Sequence, residues 1–322
     1  MKSISAPAVA ALAFLLFTAG GAFSAEESAS PRSLPAPQLP AATVKGGAAS
    51  APAASDGQAV GQVSKPGDAS GGLAALEKAA AKGDMKALFE LGILYYDGKA
   101  VPQSFEKSRD YFEKAARAGY ANAQYNLGVL YEQGEGVAKD LAMAAAWYEK
   151  AARQGHRDAQ YNLGSMCRTG EGVPRDPKKA AEWYGKAAEQ GDAEAMHGLG
   201  LMYEKGEGVP QDPPRAAAMY EKAAALGDAK SQCSLGILYA KGDGVPQDYR
   251  RAADLLKRAS EQGVVSADQW LGHLFENGLG VPRDLESAKT HYAKACLKGN
   301  RAACDGHERL EAAPAGGQAG KK

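Results

Sequence analysis

The sequence has no excess of either charge, with 38 Lys and Arg residues against 38 Asp and Glu residues. Proteins that bind nucleic acid or anionic membranes in a general way carry an excess of basic residues. The balance therefore argues against nucleic acid as a partner. Aromatic residues are also scarce, at 7%, and the chain length allows one or two domains.

The apolar run near the start, residues 8–19 (AVAALAFLLFTA), is only a dozen residues long. A bilayer-spanning helix needs roughly 20 such residues. Lys2 precedes the run and small residues follow it, which is the order found in a secretory signal peptide. We predict a signal peptide over residues 1–25, a periplasmic or secreted protein, and no stable membrane insertion after cleavage. A buried N-terminal helix is the alternative.

Motifs for catalysis and metal binding are missing as well. The five histidines do not show the spacing of His-Glu-x-x-His, and the four cysteines form no Cys-x-x-Cys pair. We therefore predict no metal site, no cofactor and no catalytic residue.

Large apolar residues are almost absent from residues 26–72, which are rich in Ala, Pro, Ser and Gly. Such a segment cannot bury enough apolar surface to offset the entropy that it would lose on ordering. We predict a disordered tether over residues 26–72 and a disordered tail of similar composition over residues 312–322. The foldable part of the chain is then residues 73–311.

An internal repeat dominates residues 73–311. A Leu-Gly pair recurs every 36 residues, at Leu91-Gly92, Leu127-Gly128, Leu163-Gly164, Leu199-Gly200, Leu235-Gly236 and Leu271-Gly272. The loop GEGVPRD at Gly170 recurs with the same period. It is therefore not a phosphate-binding loop, which would be needed only once. We number the six copies one to six in chain order.

Each copy divides into two helices joined by this loop. In the third copy Ala159, Leu163 and Cys167 share one face of the first helix. Gly170 stands where a left-handed residue ends a helix. Asp176 is predicted to cap the second helix by accepting backbone N–H hydrogen bonds. Glycine and alanine on the packing faces allow neighbouring helices to approach closely.

One helix pair cannot bury its apolar face alone, but stacked pairs can, which predicts a solenoid. Leu73–Gly83 matches a second helix without its first helix, and we expect it to form an N-terminal half-unit. The segment after Gly299 begins a first helix but lacks the Leu-Gly pair. It is predicted to be the C-terminal cap.

The segment AQYNLGVLYEQGEGVAKDLAMAAAWYEKAARQG, Ala123–Gly155, resembles the Sel-1-like repeat family, which is related to the tetratricopeptide repeats. The resemblance covers residues 73–311 and implies an all-α, right-handed solenoid of helix-turn-helix repeats. It also implies an adaptor that binds partner proteins or peptides without catalysis. The departures are local: Ala100 and Ser104 in the first copy, and Leu255-Leu256 in place of the aromatic pair in the fifth.

The first helices line the concave groove in tetratricopeptide relatives, so the resemblance places a binding surface on the first helices here. Tyr125-Asn126 and Tyr161-Asn162 point away from the packing face. Tyrosine supplies rigid contact area, and asparagine both donates and accepts hydrogen bonds. Arg168 suits a carboxylate. These residues form a predicted peptide clamp, and packing against the next first helix is the alternative for the Tyr-Asn pairs.

His197 and Trp270 complete the predicted contact set. His197 takes the tyrosine position in the fourth copy, and Trp270 has no equivalent in the other copies. Repeat consensus therefore does not explain Trp270, for which plain packing on the C-terminal cap is the alternative.

Ser104 and Lys107 have the Ser-x-x-Lys form of penicillin-recognising enzymes, and cysteine-rich relatives of the repeat family are associated with β-lactam binding. The companion motifs Ser-Asp-Asn and Lys-Thr-Gly are absent. Ser104 also holds the position of the capping Asp176, so divergence of the repeat explains the match. A β-lactamase-like or other cell-envelope hydrolase is the alternative function.

Cys296 ends a second helix and Cys304 begins the next first helix, with Gly299 between them. Reversal of the chain would bring their Cα atoms within the roughly 5–6 Å that a disulfide needs, and export would allow the bond. Cysteine-rich members of the repeat family bridge cysteines at this spacing, so the resemblance implies the same bond here. Cys167 and Cys233 are expected to remain thiols, with Cys167 buried. Four free cysteines packed as small apolar residues are the alternative.

Overall fold

The computed structural model describes residues 69–312, with side chains described from Gly72 onward. The predicted signal peptide, residues 26–68 of the predicted tether and the predicted tail beyond Ala312 lie outside the described residues. The described part consists of fourteen helices and contains no strand, which confirms the all-α class. A membrane-spanning helix would have to be longer and more apolar than any of these.

The helices alternate between the two types that the repeat predicts. The first helices of the six copies and the helix of the C-terminal cap are α2 (Met85–Asp97), α4 (Ala121–Gln133), α6 (Arg157–Thr169), α8 (Ala193–Lys205), α10 (Ala229–Lys241), α12 (Val265–Asn277) and α14 (Arg301–Ala312). The N-terminal half-unit and the second helices are α1 (Ala69–Ala81), α3 (Phe105–Arg117), α5 (Leu141–Arg153), α7 (Pro177–Glu189), α9 (Pro213–Ala225), α11 (Tyr249–Glu261) and α13 (Leu285–Leu297). Each helix packs mainly against the helices before and after it, which confirms the solenoid.

The second helices begin at side-chain caps. The Asp176 carboxylate accepts a hydrogen bond from the Lys179 N–H at 3.1 Å, as predicted, and an aspartate does the same in copies two, four, five and six. In the first copy the Ser104 hydroxyl accepts from the Lys107 N–H at 3.2 Å. The degenerate loop of that copy therefore keeps a capped helix start.

Glycine allows close approach at two points in copies two to six. A Cβ on Gly164 would lie 2.8 Å from the ring of Tyr184 on the facing second helix. Gly172, in the loop, has a φ of 71°, and a Cβ there would overlap the Leu141 carbonyl of the preceding copy. The Leu-Gly glycine thus sets the spacing within a copy, and the loop glycine sets the spacing between copies.

Both ends of the stack extend beyond the predicted boundaries. Helix α1 begins at Ala69, so residues 69–72 are helical rather than part of a disordered tether. Gly71 and Gly72 each destabilise a helix by roughly 1 kcal/mol relative to alanine. The composition of this segment therefore predicted that both residues belong to the tether. Ala69 lies 36 residues before Phe105, where α3 begins, so the repeat phase marks this start. Helix α14 ends one residue beyond the predicted boundary at 311.

Second-helix side chains form the interior, one from each copy. Phe112, Tyr148, Tyr184 and Tyr220 are fully buried, and each faces the Leu-Gly glycine of its own copy. Leu256 fills the same place in the fifth copy. Burying a side chain of this size contributes about 1.5–3 kcal/mol to the free energy of unfolding. Each of these copies is therefore stabilised by a large buried side chain of its own second helix.

Candidate functional site

The predicted Tyr-Asn clamp is buried. Tyr125 is 2% exposed, Asn126 2%, Tyr161 5% and Asn162 1%. The Tyr125 ring stacks on His156 with 4.6 Å between centroids. These side chains therefore pack between helices and offer no accessible surface for a peptide. This burial overturns the clamp and favours the packing alternative.

A buried hydrogen bond between Tyr148 and Glu132 joins the two helices of copy two. The Tyr148 hydroxyl donates to the Glu132 carboxylate at 2.6 Å. The Asn162 side chain of the next copy lies within hydrogen-bonding reach of the same hydroxyl. Burial raises the pKa of Glu132, and the hydrogen bond from Tyr148 opposes that rise. Tyr148 thus fixes one copy against the next.

The same pair recurs in alternate copies, where Tyr220 donates to Glu204 at 2.6 Å and Tyr292 donates to Glu276 at 2.9 Å. Sequence reasoning missed these contacts, although the 16-residue spacing of glutamate and tyrosine was a visible signal. The odd copies lack the glutamate. Copies one and five change the tyrosine as well, to give Tyr96 with Phe112 and Ala240 with Leu256, whereas copy three keeps Tyr184 beside Arg168.

A second polar network joins copies two, three and five to the copies that precede them. Gln160 donates its amide to the Ala152 carbonyl of the preceding copy at 3.1 Å and accepts from Gln190 at 2.7 Å. Equivalent links are made by Gln124 with Gln154, and by Gln232 with Gln262. Copies one, four and six lack this glutamine ladder. In copy four Met196 and Leu226 stand in place of both glutamines.

Arg168 stands where copies two, four and six have the glutamate that accepts the tyrosine hydroxyl. Its side chain is half-buried, and it lies beside the Tyr184 hydroxyl. Burial raises the pKa of Tyr184, and the guanidinium partly offsets that rise. The ion pairs of the third copy involve Arg157, Arg175 and Lys179 instead. Arg168 therefore keeps a partly accessible positive charge.

His197 and Trp270 retain accessible surface, since both are half-buried. The His197 ring lies 5.5 Å from the Tyr220 ring. Trp270 meets His273 edge-on at 6.0 Å, and the Lys241 ammonium lies 5.7 Å from the Trp270 ring centroid. The first helices of the later copies thus present aromatic rings beside a cation.

The Ser-x-x-Lys motif has the geometry of a helix cap. Besides accepting from the Lys107 N–H, the Ser104 hydroxyl donates to Glu106 at 3.1 Å. The Lys107 ammonium lies over the Tyr95 ring, 4.9 Å from its centroid. The lysine is therefore engaged away from the hydroxyl that it would have to deprotonate.

A serine, an aspartate and a histidine meet at the junction of copies five and six. The buried Asp268 carboxylate accepts from Ser260 at 2.7 Å and contacts His291 Nδ1 at 2.8 Å. The imidazole stacks on Phe275. The serine bonds the carboxylate rather than the imidazole, so the cluster lacks the nucleophile–base contact of a hydrolase. It joins α11, α12 and α13.

The structure contains the predicted Cys296–Cys304 disulfide, with Cα atoms 4.6 Å apart. The bond ties α13 to the cap helix α14. Cys167 and Cys233 are buried and form no disulfide. The thiol state of both and the burial of Cys167 are as predicted. Burial raises the pKa of the Cys167 thiol, which keeps it protonated and unreactive.

Comparison with family models identifies the repeat. The model described as Sel1 repeat matches six consecutive segments: residues 86–120, 121–156, 157–192, 193–228, 229–264 and 265–300. A search among curated proteins finds no match.

Two solved structures share the fold. The chain is similar to c5321, a protective antigen of uropathogenic Escherichia coli strains that displays an SLR fold, with 37% identity and a TM-score of 0.70. That alignment covers 76% of this chain and 51% of the antigen, so this chain spans about half the antigen's length. A Sel1 repeat protein from Oxalobacter formigenes is 34% identical with a TM-score of 0.60, over 71% of this chain and 97% of that protein.

Proposed function

Because the chain belongs to the Sel1 repeat family, whose members generally mediate protein–protein interaction, we propose that it is an exported, non-catalytic adaptor. It binds a partner protein or peptide through the groove lined by its first helices. The disulfide at the C-terminal cap and the network of inter-copy hydrogen bonds make the solenoid a stable scaffold for such contacts.

Unequal burial of the first helices carries this proposal. In copies two and three the outward residues of α4 and α6 are buried, as shown by Val129 and Ser165. In copies four to six the corresponding surface is half-buried or exposed, and apolar side chains on it suit a partner. We call this surface the open face and define it by His197, Leu201, Lys205, Ile237, Lys241 and Trp270.

The predicted contact residues divide between two roles. Arg168, His197 and Trp270 are proposed as partner contacts because each keeps accessible surface. The Tyr-Asn pairs of copies two and three support the groove from within.

Export is proposed from two features. The first is the apolar run at residues 8–19, and the second is the disulfide, which persists in oxidising compartments and is rare in the cytosol. Deletion of residues 2–25 should move the protein from the periplasmic or culture fraction to the cytoplasmic fraction. An unchanged distribution would contradict export by this segment.

Capture of a partner by the full chain tests the adaptor function. We expect Trp270→Ala combined with Ile237→Ala to abolish capture from envelope extract while circular dichroism stays helical. The matched control is Trp183→Ala, which removes a half-buried tryptophan from the second helix α7 and should leave capture intact. Equal capture by all variants would overturn the proposed surface.

The hydrolase alternative gains no support from the contacts of Ser104, Lys107 or Asp268. Purified protein is expected to leave nitrocefin intact. Turnover that is abolished by Ser104→Ala would replace the adaptor proposal with an enzymatic one.

A further inference from the structure

Apart from His197, the open face lies on one arc of the first helix in each of copies four to six. In the fourth copy Gly198, Leu201 and Lys205 follow the buried Ala195 by three, six and ten residues. At about 100° per residue these three positions fall within an arc of about 60°. The same positions in copies five and six are Ser234, Ile237 and Lys241, and Trp270, His273 and Asn277.

Apolar surface lies along the middle of this arc. Leu201, Ile237 and Trp270 are each half-buried, so each presents part of its side chain. Gly198 and Ser234 stand where Asn162 blocks the arc in copy three. These small residues let the ring of the preceding second helix pack close: a Cβ on Gly198 would lie 3.1 Å from the Tyr184 ring.

The charge of the open face is positive and uncompensated. Lys205 and Lys241 are exposed at the C-terminal ends of α8 and α10, and neither forms an ion pair with another described residue. Arg168 occupies the neighbouring position in copy three and is likewise outside the ion pairs of that copy. Burial lowers the pKa of His273, so this histidine adds no charge at neutral pH.

Glu204 and Glu276, the carboxylates at the preceding helical position, are already engaged by other side chains of the protein. Glu204 accepts the Tyr220 hydroxyl at 2.6 Å. Glu276 accepts two hydrogen bonds from Arg309, at 2.8 and 2.7 Å. The lysines of the arc are therefore the groups left to attract a ligand, and they would attract one of negative charge.

We propose that the open face binds an acidic peptide segment whose apolar side chains contact Leu201, Ile237 and Trp270 while its carboxylates meet Lys205 and Lys241. This inference rests on the proposed adaptor function and specifies its partner.

Fluorescence anisotropy with the full chain tests the inference. One labelled peptide alternates Asp and Glu with Leu, and a second replaces every acid by its amide. We expect the acidic peptide to bind more tightly, and its affinity to fall as salt rises. Lys205→Glu with Lys241→Glu should weaken it roughly tenfold or more.

The matched control is Lys186→Glu with Lys222→Glu. These exposed lysines lie in the last turns of the second helices α7 and α9, so the change in net charge and the effect on the helix dipole are the same. The control should leave the affinity within roughly twofold of the unmodified chain.

The other outcomes of the peptide-binding experiment would each overturn part of the inference. Equal weakening by both lysine pairs would show general electrostatic attraction and overturn the site. Binding of the amide peptide that requires Trp270 but not the lysines would overturn the acidic specificity and leave the adaptor function standing. If neither peptide binds, the inference fails, and the capture experiment with Trp270→Ala and Ile237→Ala decides separately whether the adaptor function fails with it.

Discussion

Copies two and three follow the same 36-residue pattern as copies four to six, yet the two groups bury their first helices differently. In copy three Gln160 joins the glutamine ladder, and Asn162 reaches Tyr148 of the preceding copy. In copy four Met196 and Gly198 take these two places. The ladder is interrupted there and returns in copy five with Gln232 and Gln262, whereas the first-helix face stays accessible from copy four to copy six. Consensus residues in this stack hold neighbouring copies together, whereas departures from the consensus mark accessible surface.

The C-terminal cap offers the largest expected effect, because a disulfide ties the last second helix α13 to the cap helix α14, whereas the other helices are joined by non-covalent contacts. Replacing Cys296 and Cys304 by Ser should lower stability by roughly 2–3 kcal/mol, the entropy scale of a short closed loop. The loss should be local, since the cap has only one neighbour. Hydrogen exchange should therefore increase in α12–α14 and stay unchanged in α4 and α6.

Mass spectrometry of non-reduced, alkylated protein provides the control for this variant. The unmodified chain should yield a linked peptide pair containing Cys296 and Cys304, with Cys167 and Cys233 available for alkylation only after unfolding. We call copies two and three the closed half and copies four to six the open half. Hydrogen exchange that increases evenly over all copies would contradict this division.

The closed half should respond most strongly to loss of the Tyr148 hydroxyl. Glu132 is 9% exposed, so Tyr148→Phe leaves a buried carboxylate without its donor. We expect a loss of about 1.5–3 kcal/mol in urea unfolding at neutral pH. The same change at Tyr184 should cost less than about 1 kcal/mol, because its neighbour Arg168 is half-buried and reaches water. Equal losses of stability in Tyr148→Phe and Tyr184→Phe would show that the hydrogen bond between Tyr148 and Glu132 contributes no more than the contacts of Tyr184.

The cost of Tyr148→Phe should also depend on pH. Burial raises the folded-state pKa of Glu132, and the Tyr148 bond holds it down, so the variant has a higher folded pKa. A raised folded pKa favours the folded state below the unfolded pKa, and that contribution is lost as pH rises through the folded value. The deficit should therefore shrink on acidification toward a pH of about 4. A constant deficit would exclude Glu132 as its source.

The sequence predicted the architecture because its signals are local. The period of 36, the Asp176 cap and the Gly170 helix end all follow from neighbouring residues, and the chain reversal at Gly299 brought Cys296 to Cys304. The start at Ala69 was missed because two glycines outweighed the repeat phase. Comparison with Phe105, one period later, would have found it.

The clamp was wrong because a helical projection describes one helix at a time. Asn162 lies opposite the packing face of α6, but Tyr148 from the preceding copy reaches it there. Burial of that face depends on the size of residues in three helices at once. His197 and Trp270 escaped burial where the consensus changed, and that change was visible in the sequence.

The smallest expected effect comes from restoring the glutamine ladder in the open half. Met196→Gln alone should destabilise the chain, because Met196 is 8% exposed and its replacement buries an amide oxygen without a donor. Leu226→Gln alone should be nearly neutral, since Leu226 is 59% exposed. Together the two amides can repeat the link between Gln160 and Gln190, and the double-mutant cycle should give a favourable coupling of about 0.5–1.5 kcal/mol. Strict additivity of the two changes would mean that the ladder depends on more than these two positions, and that the open junction is not simply a closed junction lacking its glutamines.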